Sequence, residues 1–84
     1  MHAVSIHYWA GAKAAAGVAQ ETVQANSVAA ALAAASQRRA DPHYDRVVRA
    51  SALLIDGLTA HPADLSRPLT GPVDVEVLPP FAGG

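Results

Sequence analysis

The two ends of the chain share an alternation of apolar and polar side chains, and this pattern restricts the fold more than any other feature. Residues 2–10, "HAVSIHYWA", place valine, isoleucine and tyrosine at every second position, and residues 73–78, "VDVEVL", do the same with valine. A period of two is typical of a strand with one face against a core. We therefore predict that the first and last strands lie side by side in the centre of a sheet. The core residues expected from these strands and the main helix are Val4, Ile6, Leu32, Val73, Val75 and Val77.

One long helix is predicted between these strands. Asn26 and Ser27 offer an N-cap for residues 27–40, "SVAAALAAASQRRA". Two arginines stand near the other end of this segment, where cations interact favourably with the helix dipole. The apolar stripe expected along the helix consists of Val28, Leu32 and Ala35.

Three shorter segments flank this helix. Residues 11–17, "GAKAAAG", predict a loop or a single helical turn, because a glycine stands at each end. Residues 18–25 form a second strand candidate, polar enough to lie at a sheet edge. After the long helix, Asp41-Pro42 resembles a cap followed by proline at the first helical position. This predicts a short helix that ends near Val48.

The last third of the chain predicts a hairpin, a loop and the final strand. Residues 51–58, "SALLIDGL", form an apolar strand that runs into Asp56-Gly57, a strong signal for a tight hairpin turn. The returning strand is expected from Thr59 onward, and the proline-rich segment 61–72 is expected to be a loop with one turn. These elements together predict an α+β fold in which a mixed four- to five-stranded sheet packs on one main helix.

Composition excludes several functional classes. Six basic residues against seven acidic ones leave no electrostatic footprint for nucleic acid. The absence of cysteine excludes disulfides, a thiolate zinc site and a cysteine nucleophile. The longest apolar run, Val28 to Ala35, is too short to span a membrane, so we expect a soluble, cytoplasmic protein.

No residue pattern predicts a catalytic or metal site within the chain. The four histidines, His2, His7, His43 and His61, lack the spacing of metal ligands, and we expect His7 to be a half-exposed surface residue. The serines lack the context of a nucleophile elbow, and the aspartates stand in turns and caps. No glycine-rich phosphate loop is present either.

The C-terminal "VLPPFAGG" is the most distinctive segment. Pro79 and Pro80 cannot donate to a sheet ladder, so they end the last strand and project the chain in a stiff, extended form. Two glycines can pass through a channel that larger residues would block. We therefore predict a folded domain over residues 1–80 and a flexible tail over 81–84, with the α-carboxylate of Gly84 as the only chemically distinctive group at its tip. A frayed terminus without function is the alternative.

This tail resembles that of the small subunit of molybdopterin synthase and, more broadly, of the ubiquitin-like sulfur carriers of the β-grasp fold. The Asp56-Gly57 hairpin, "RPLT" at 67–70 and "YWAGAK" at 8–13 add to the resemblance, which covers the whole chain in length and element order. Two positions depart from the family pattern. Ala14 stands where an acidic residue is usual, and Gly71-Pro72-Val73 replaces a Gly-Asp turn.

The resemblance implies a sulfur carrier that has no catalytic residues of its own. A partner adenylating enzyme, using ATP and magnesium, would convert the Gly84 carboxylate to an acyl-adenylate, and a sulfur donor protein would leave a thiocarboxylate there. The large subunit of molybdopterin synthase would supply the catalytic residues and pass the sulfur to a pyranopterin precursor of the molybdenum cofactor. In this scheme the chain itself binds no cofactor.

The resemblance also implies roles for particular residues. Gly83 would give steric clearance, Phe81 would anchor the tail at the tunnel mouth, and the exposed sheet face with Trp9 would dock both partners. The tail expected to bind the partners comprises Pro79, Pro80, Phe81, Ala82 and Gly83.

Other functional interpretations of the sequence share part of this chemistry or none of it. The carrier could serve thiamine or cysteine biosynthesis, or the chain could be a ubiquitin-like modifier that is conjugated to proteins. A reading of a different class is a β-grasp interaction module without catalytic function, whose tail is inert.

Overall fold

A computed structural model describes residues 1–80 of the chain. They form one sheet and four helices in two layers. The elements in chain order are β1 (His2–Tyr8), α1 (Gly11–Ala16), β2 (Gln20–Ala25), α2 (Val28–Arg39), α3 (Pro42–Ala50), β3 (Ala52–Ile55), β4 (Leu58–Thr59), α4 (Pro62–Ser66) and β5 (Val73–Leu78).

The five strands form one mixed sheet in the order β2-β1-β5-β3-β4. β1 and β5 are parallel neighbours in its centre, with Val4 opposite Val73 and Tyr8 opposite Val77. β2 pairs antiparallel with β1, and β3 pairs antiparallel with β5. The predicted central placement of the first and last strands is confirmed. The α+β class and the five-stranded mixed sheet are confirmed as well.

The core lies between the helices and one face of the sheet. Val4, Ile6, Val75 and Val77 are fully buried there, as predicted. Leu32 and Val73, in contrast, are only half-buried at the margin of the core, so their predicted burial is wrong. The buried stripe of α2 contains alanine where leucine was expected, because small side chains allow a helix to approach a sheet closely. That stripe consists of Val28, Ala31 and Ala35.

Local signals in the sequence set most helix boundaries. The Ser27 side chain accepts a hydrogen bond of 3.0 Å from the Ala30 N–H, which caps α2 as predicted. Asp41 caps α3 in the same way through the His43 N–H, at 3.0 Å, with Pro42 at the first helical position. Segment 11–17 contains a six-residue helix, more than the single turn expected, and Gly17 ends it with a φ of 82°.

Two strand boundaries differ from the prediction. β2 begins at Gln20, two residues later than expected, because the left-handed Gly17 and the turn after it occupy the preceding positions. β4 begins at Leu58 and ends at Thr59. Asp56 and Gly57 both have positive φ, 49° and 83°, as a two-residue hairpin turn requires. The returning strand is therefore immediate but short.

A polar cluster joins α3 and the end of α2 to the covered face of the sheet. The Tyr8 hydroxyl donates to Glu21 Oε2 at 2.5 Å and lies 2.8 Å from the hydroxyl of the buried Tyr44. Arg39 pairs with the same Glu21 oxygen at 2.6 Å, and its guanidinium lies 4.6 Å from the centre of the Tyr44 ring. Arg38 forms an ion pair with the other Glu21 oxygen. Burial, followed by the hydrogen bond with Tyr44, raises the pKa of Tyr8.

Among the helices of residues 1–80, none is long and apolar enough to cross a bilayer. The longest, α2, has twelve residues, whereas a spanning helix needs about 20.

Candidate functional site

The base of the C-terminal tail lies at the end of the central strand β5. The strand ends at Leu78, and no strand or helix continues through Pro79 and Pro80. Leu78 and Pro79 are half-buried, whereas Pro80 is exposed. The prediction that the two prolines end the strand is confirmed. Because prolines have no N–H, the chain stops pairing here and leaves the sheet. The remaining predicted tail residues lie outside the described residues: Phe81, Ala82, Gly83 and Gly84.

Trp9 lies beside this point of departure. Its N–H donates to the Val77 carbonyl at 3.2 Å, and its own carbonyl accepts from the Ala12 N–H at 2.9 Å. Ala12, in α1, is fully buried, so this helix fixes the backbone of Trp9 from one side while β5 fixes it from the other. The Trp9 side chain is nevertheless 50% exposed. A large aromatic side chain is thus held at the surface by a rigid backbone, next to the strand that carries the tail.

A surface hollow of about 450 Å³ borders Trp9. Its polar side chains are those of Lys13, His7 and Gln20, and none of its lining residues is acidic. Lys13 is the only lysine of the chain and is exposed on α1. The surface around the base of the tail therefore combines an exposed aromatic ring with a positive charge. An acidic or polar partner surface would complement it.

The open face of the sheet, which no helix covers, adjoins this hollow. His7 lies opposite Glu76 in the register of β1 and β5, and its Nε2 is 3.5 Å from Asp74 Oδ1. The side chain of His7 is half-exposed, as predicted. The imidazole of His7 thus lies within reach of a carboxylate of the neighbouring strand on this face.

A second groove, of about 360 Å³, lies at the opposite end of the molecule, where β5 begins. Leu58, which lines it, is 74% exposed. Arg67 at its rim pairs with Asp64 at 2.9 Å. The backbone N–H of His61, more than the nearby Arg67, lowers the pKa of Asp64. This groove is not among the sites predicted from the sequence, although Leu58, an apolar residue directly after a two-residue turn, is the signal that could have found it.

Within residues 1–80, no group of three or more histidine or acidic side chains is positioned to hold a metal ion. Every buried polar side-chain atom in this part of the chain has a hydrogen-bond partner. A distinctive surface feature of this part of the chain is the pole formed by Trp9, Lys13 and the end of β5.

Comparisons with known proteins establish the fold. The chain matches no model of a protein family and no curated protein sequence. Among solved structures it is similar to the small archaeal modifier protein 1 of Methanosarcina acetivorans, with a TM-score of 0.80 and 21% identity over 100% of this chain and 98% of that one. The corresponding protein of Haloferax volcanii gives 0.75 and 22%, covering 98% and 99%. The complex of subunits 1 and 2 of the molybdopterin-converting factor from Helicobacter pylori gives 0.67 and 20%, also covering 98% and 99%.

These likenesses extend over nearly the full length of both chains. The chain has the ubiquitin-like β-grasp fold, as the sequence analysis predicted.

Proposed function

We propose that this chain is a ubiquitin-like sulfur carrier, in which the α-carboxylate of Gly84 is the group that is activated. One observation carries this proposal. The central strand of the sheet delivers the chain to Pro79 and Pro80 at the surface, beside the exposed Trp9. The similar solved structures support it, because they are named as a modifier protein and as a molybdopterin-converting factor.

The proposed chemistry begins with the carboxylate, which is a poor electrophile. An oxygen of the Gly84 carboxylate attacks the α-phosphorus of ATP on an adenylating partner, and pyrophosphate leaves. A donor protein then supplies sulfur at the oxidation level of sulfide: hydrosulfide attacks the carbonyl carbon, the bond from that carbon to the AMP oxygen breaks, AMP leaves, and a thiocarboxylate remains after loss of the thiol proton. The domain of residues 1–80 contributes binding and position, while both partners contribute the catalytic groups.

The length of the tail is consistent with a folded domain that binds and a partner that catalyses. Four extended residues span roughly 13 Å beyond Pro80, at about 3.3 Å per residue. An active site buried in a partner can therefore receive Gly84 while the folded domain stays outside. Gly83 gives the clearance that a narrow channel needs, and Phe81 anchors the tail at its mouth.

The pathway that we favour is molybdenum cofactor synthesis. A large subunit like that of molybdopterin synthase would receive the tail, and the thiocarboxylate would donate its sulfur to a pyranopterin precursor. The Helicobacter pylori structure, a complex of subunits 1 and 2 of such a factor, supports this choice of partner.

Conjugation to proteins is a second candidate, favoured by the two structures named as modifier proteins. Here the amine of a target lysine, rather than sulfur, would attack the activated carbonyl of Gly84, AMP would leave, and an isopeptide bond would form. Mass spectrometry of the protein made with its adenylating partner separates the two outcomes. A sulfur carrier exchanges one terminal oxygen for sulfur, whereas a modifier gains the mass of its target less one water.

The direct test is a variant with one extra residue after Gly84. This variant keeps every contact of the domain and both glycines, but it places the Gly84 carboxyl in a peptide bond. We expect normal thermal unfolding, near-normal binding to the large subunit, and no pyrophosphate exchange with the adenylating enzyme. A misplacement of about 1 Å can already cost a hundredfold in a positioned reaction.

Deletion of Gly84 is a second test variant, because it retains a free carboxylate but shortens the reach by about 3.3 Å. It should fail in the same assay. Full exchange activity in the extended variant, with its extra residue still present by mass analysis, would contradict the proposal.

A further inference from the structure

The two edges of the sheet differ in how they are protected against pairing with another strand. β4, at one edge, has only two residues and ends at the proline-rich segment that follows. β2, at the other edge, has six residues and contains no proline and no lysine. Proteins usually protect an exposed edge with proline, lysine, a bulge, an inward-pointing charge or a very short strand. β2 has no proline, no lysine and no bulge, since its pairing with β1 is continuous from Gln20 to Ala25. Its one inward-pointing charge, that of Glu21, is paired with Arg38 and Arg39.

The register of β1 and β2 shows which backbone groups of β2 are available. The Tyr8 N–H donates to the Ala19 carbonyl at 2.8 Å, so that pair is hydrogen-bonded. Hydrogen-bonded and non-hydrogen-bonded pairs alternate along an antiparallel ladder. Every second residue of β2 therefore directs its N–H and C=O away from β1, and within residues 1–80 these groups have no partner strand. The residues concerned are Gln20, Thr22 and Gln24.

These outward groups are arranged so that a second copy of the same strand fits them. In a two-fold antiparallel arrangement centred on Thr22, Thr22 lies opposite Thr22 of the other copy and Gln20 lies opposite Gln24. Each residue whose N–H and C=O point away from β1 then lies opposite another such residue. Each of the three pairs exchanges two hydrogen bonds, which gives six new backbone hydrogen bonds. A shift by two residues in either direction leaves only two such pairs within the strand.

The side chains also suit this register. Gln20, Thr22 and Gln24 are exposed and uncharged, so no like charges face each other on the open side of the sheet. On the covered side Glu21 would lie opposite Val23, and Arg38 and Arg39 already neutralise its carboxylate. We propose that the chain forms a two-fold dimer through β2, with Thr22 on the symmetry axis and a continuous ten-stranded sheet.

The dimer is expected to be weak, since two six-residue strands bury far less than the roughly 1,200–2,000 Å² of a standard stable interface. β1 separates β2 from β5, so the pairing leaves the strand that carries the tail outside the interface. This inference does not depend on the proposed function.

Cysteine variants test it sharply, because the natural chain contains no cysteine. In the proposed register the two Thr22 Cα atoms lie about 5.5 Å apart, a separation that a disulfide spans. The two Gln24 Cα atoms are offset by four residues along the strand, roughly 13 Å, which is too far. Thr22→Cys should therefore oxidise to a covalent dimer on the order of ten times faster than Gln24→Cys, because association raises the local thiol concentration.

A mixing experiment fixes the register. Gln20→Cys and Gln24→Cys should each oxidise slowly alone and rapidly when mixed, since the two positions lie opposite each other. Equal rates for all three single variants and for the mixture would overturn the dimer. Faster reaction in a mixture of Thr22→Cys with Gln24→Cys, or with Gln20→Cys, would overturn the proposed register.

Light scattering on the unmodified chain gives an independent measurement. The average mass should rise towards that of a dimer between micromolar and millimolar concentration, and Thr22→Pro should abolish the rise. Proline is tolerated where the N–H faces away from the sheet, and a thermal melt verifies that this variant folds. Thr22→Val, which keeps the N–H, is the matched control and should still associate. A constant monomer mass at all concentrations would contradict the proposal.

Discussion

The two faces of the sheet use the same strands for different purposes. On the covered face, Val75 and Val77 of β5 are fully buried, and the hydroxyls of Tyr8 and Tyr44 are hydrogen-bonded to each other. On the open face, His7, Asp74 and Glu76 remain accessible to water or to a partner. The covered face therefore determines stability, while the open face and the adjoining pole are free to determine recognition. Substitutions at alternate positions of one strand should separate these two roles.

The largest effect is expected for Val75→Asp. Val75 is fully buried in the central strand, and a carboxylate there would have no partner. The cost should be several kcal/mol, a large part of the roughly 5–15 kcal/mol that stabilises a typical domain. Circular dichroism should show a largely unfolded chain at room temperature.

The neighbouring Asp74→Asn is the matched control, because it changes a charge on the open face of the same strand. It should shift the melting temperature only slightly, since the pair with His7 is exposed. Similar melting curves for the two variants would show that the faces are not divided as described.

The next effect concerns the polar cluster on the covered face. Tyr44→Phe removes the hydroxyl that lies 2.8 Å from the Tyr8 hydroxyl in a buried site. Loss of a buried hydrogen bond costs about 1–2 kcal/mol, measurable by urea unfolding. Because each single change removes the same hydrogen bond between Tyr8 and Tyr44, the sum of the two losses counts it twice, and the double variant with Tyr8→Phe should be less destabilised than that sum. Additive losses would mean that the two hydroxyls are not coupled.

The ionisation of Tyr8 gives this cluster a pH dependence. In the folded chain Tyr8 keeps its proton above pH 10, since burial raises its pKa, whereas the unfolded chain releases it near pH 10. The unfolded state then binds fewer protons than the folded state, so stability falls as the pH rises above about 10. Urea midpoints measured between pH 9 and 11 should fall less in Tyr8→Phe than in the unmodified chain. An equal decrease of the urea midpoint in both proteins would exclude Tyr8 as the source of the loss of stability at alkaline pH.

The covered face shows both what sequence reasoning could find and what it missed. Alternation located β1 and β5, because each strand has one apolar face and the pattern repeats without interruption. It could not find Glu21, whose contribution depends on two arginines at the end of a helix distant in sequence. Tyr44 was missed as well, although the spacing of Tyr44, Val47 and Val48 on α3 is that of a buried helical stripe.

The candidate site was predictable to a different extent. The two prolines end β5 as predicted, because the loss of the N–H acts locally and does not depend on the rest of the fold. The position of Trp9 beside Val77 required the parallel pairing of β1 with β5, which the sequence only suggested. The hollow around Lys13 depends on the length of α1, which a short alanine-rich segment between two glycines does not specify.

The smallest effect on folding is expected for Trp9→Ala, and this variant separates recognition from stability. The side chain is 50% exposed, so its removal should cost about 1 kcal/mol or less of stability. If the pole around Trp9 docks the adenylating enzyme or the large subunit, binding should weaken by about 2 kcal/mol or more, as at an aromatic hot spot. Isothermal titration calorimetry with each partner measures this difference. Leu58→Ala is the control, because it removes another exposed apolar side chain from the opposite end of the molecule. It should leave both affinities unchanged, and equal binding by the two variants would move the docking surface away from Trp9.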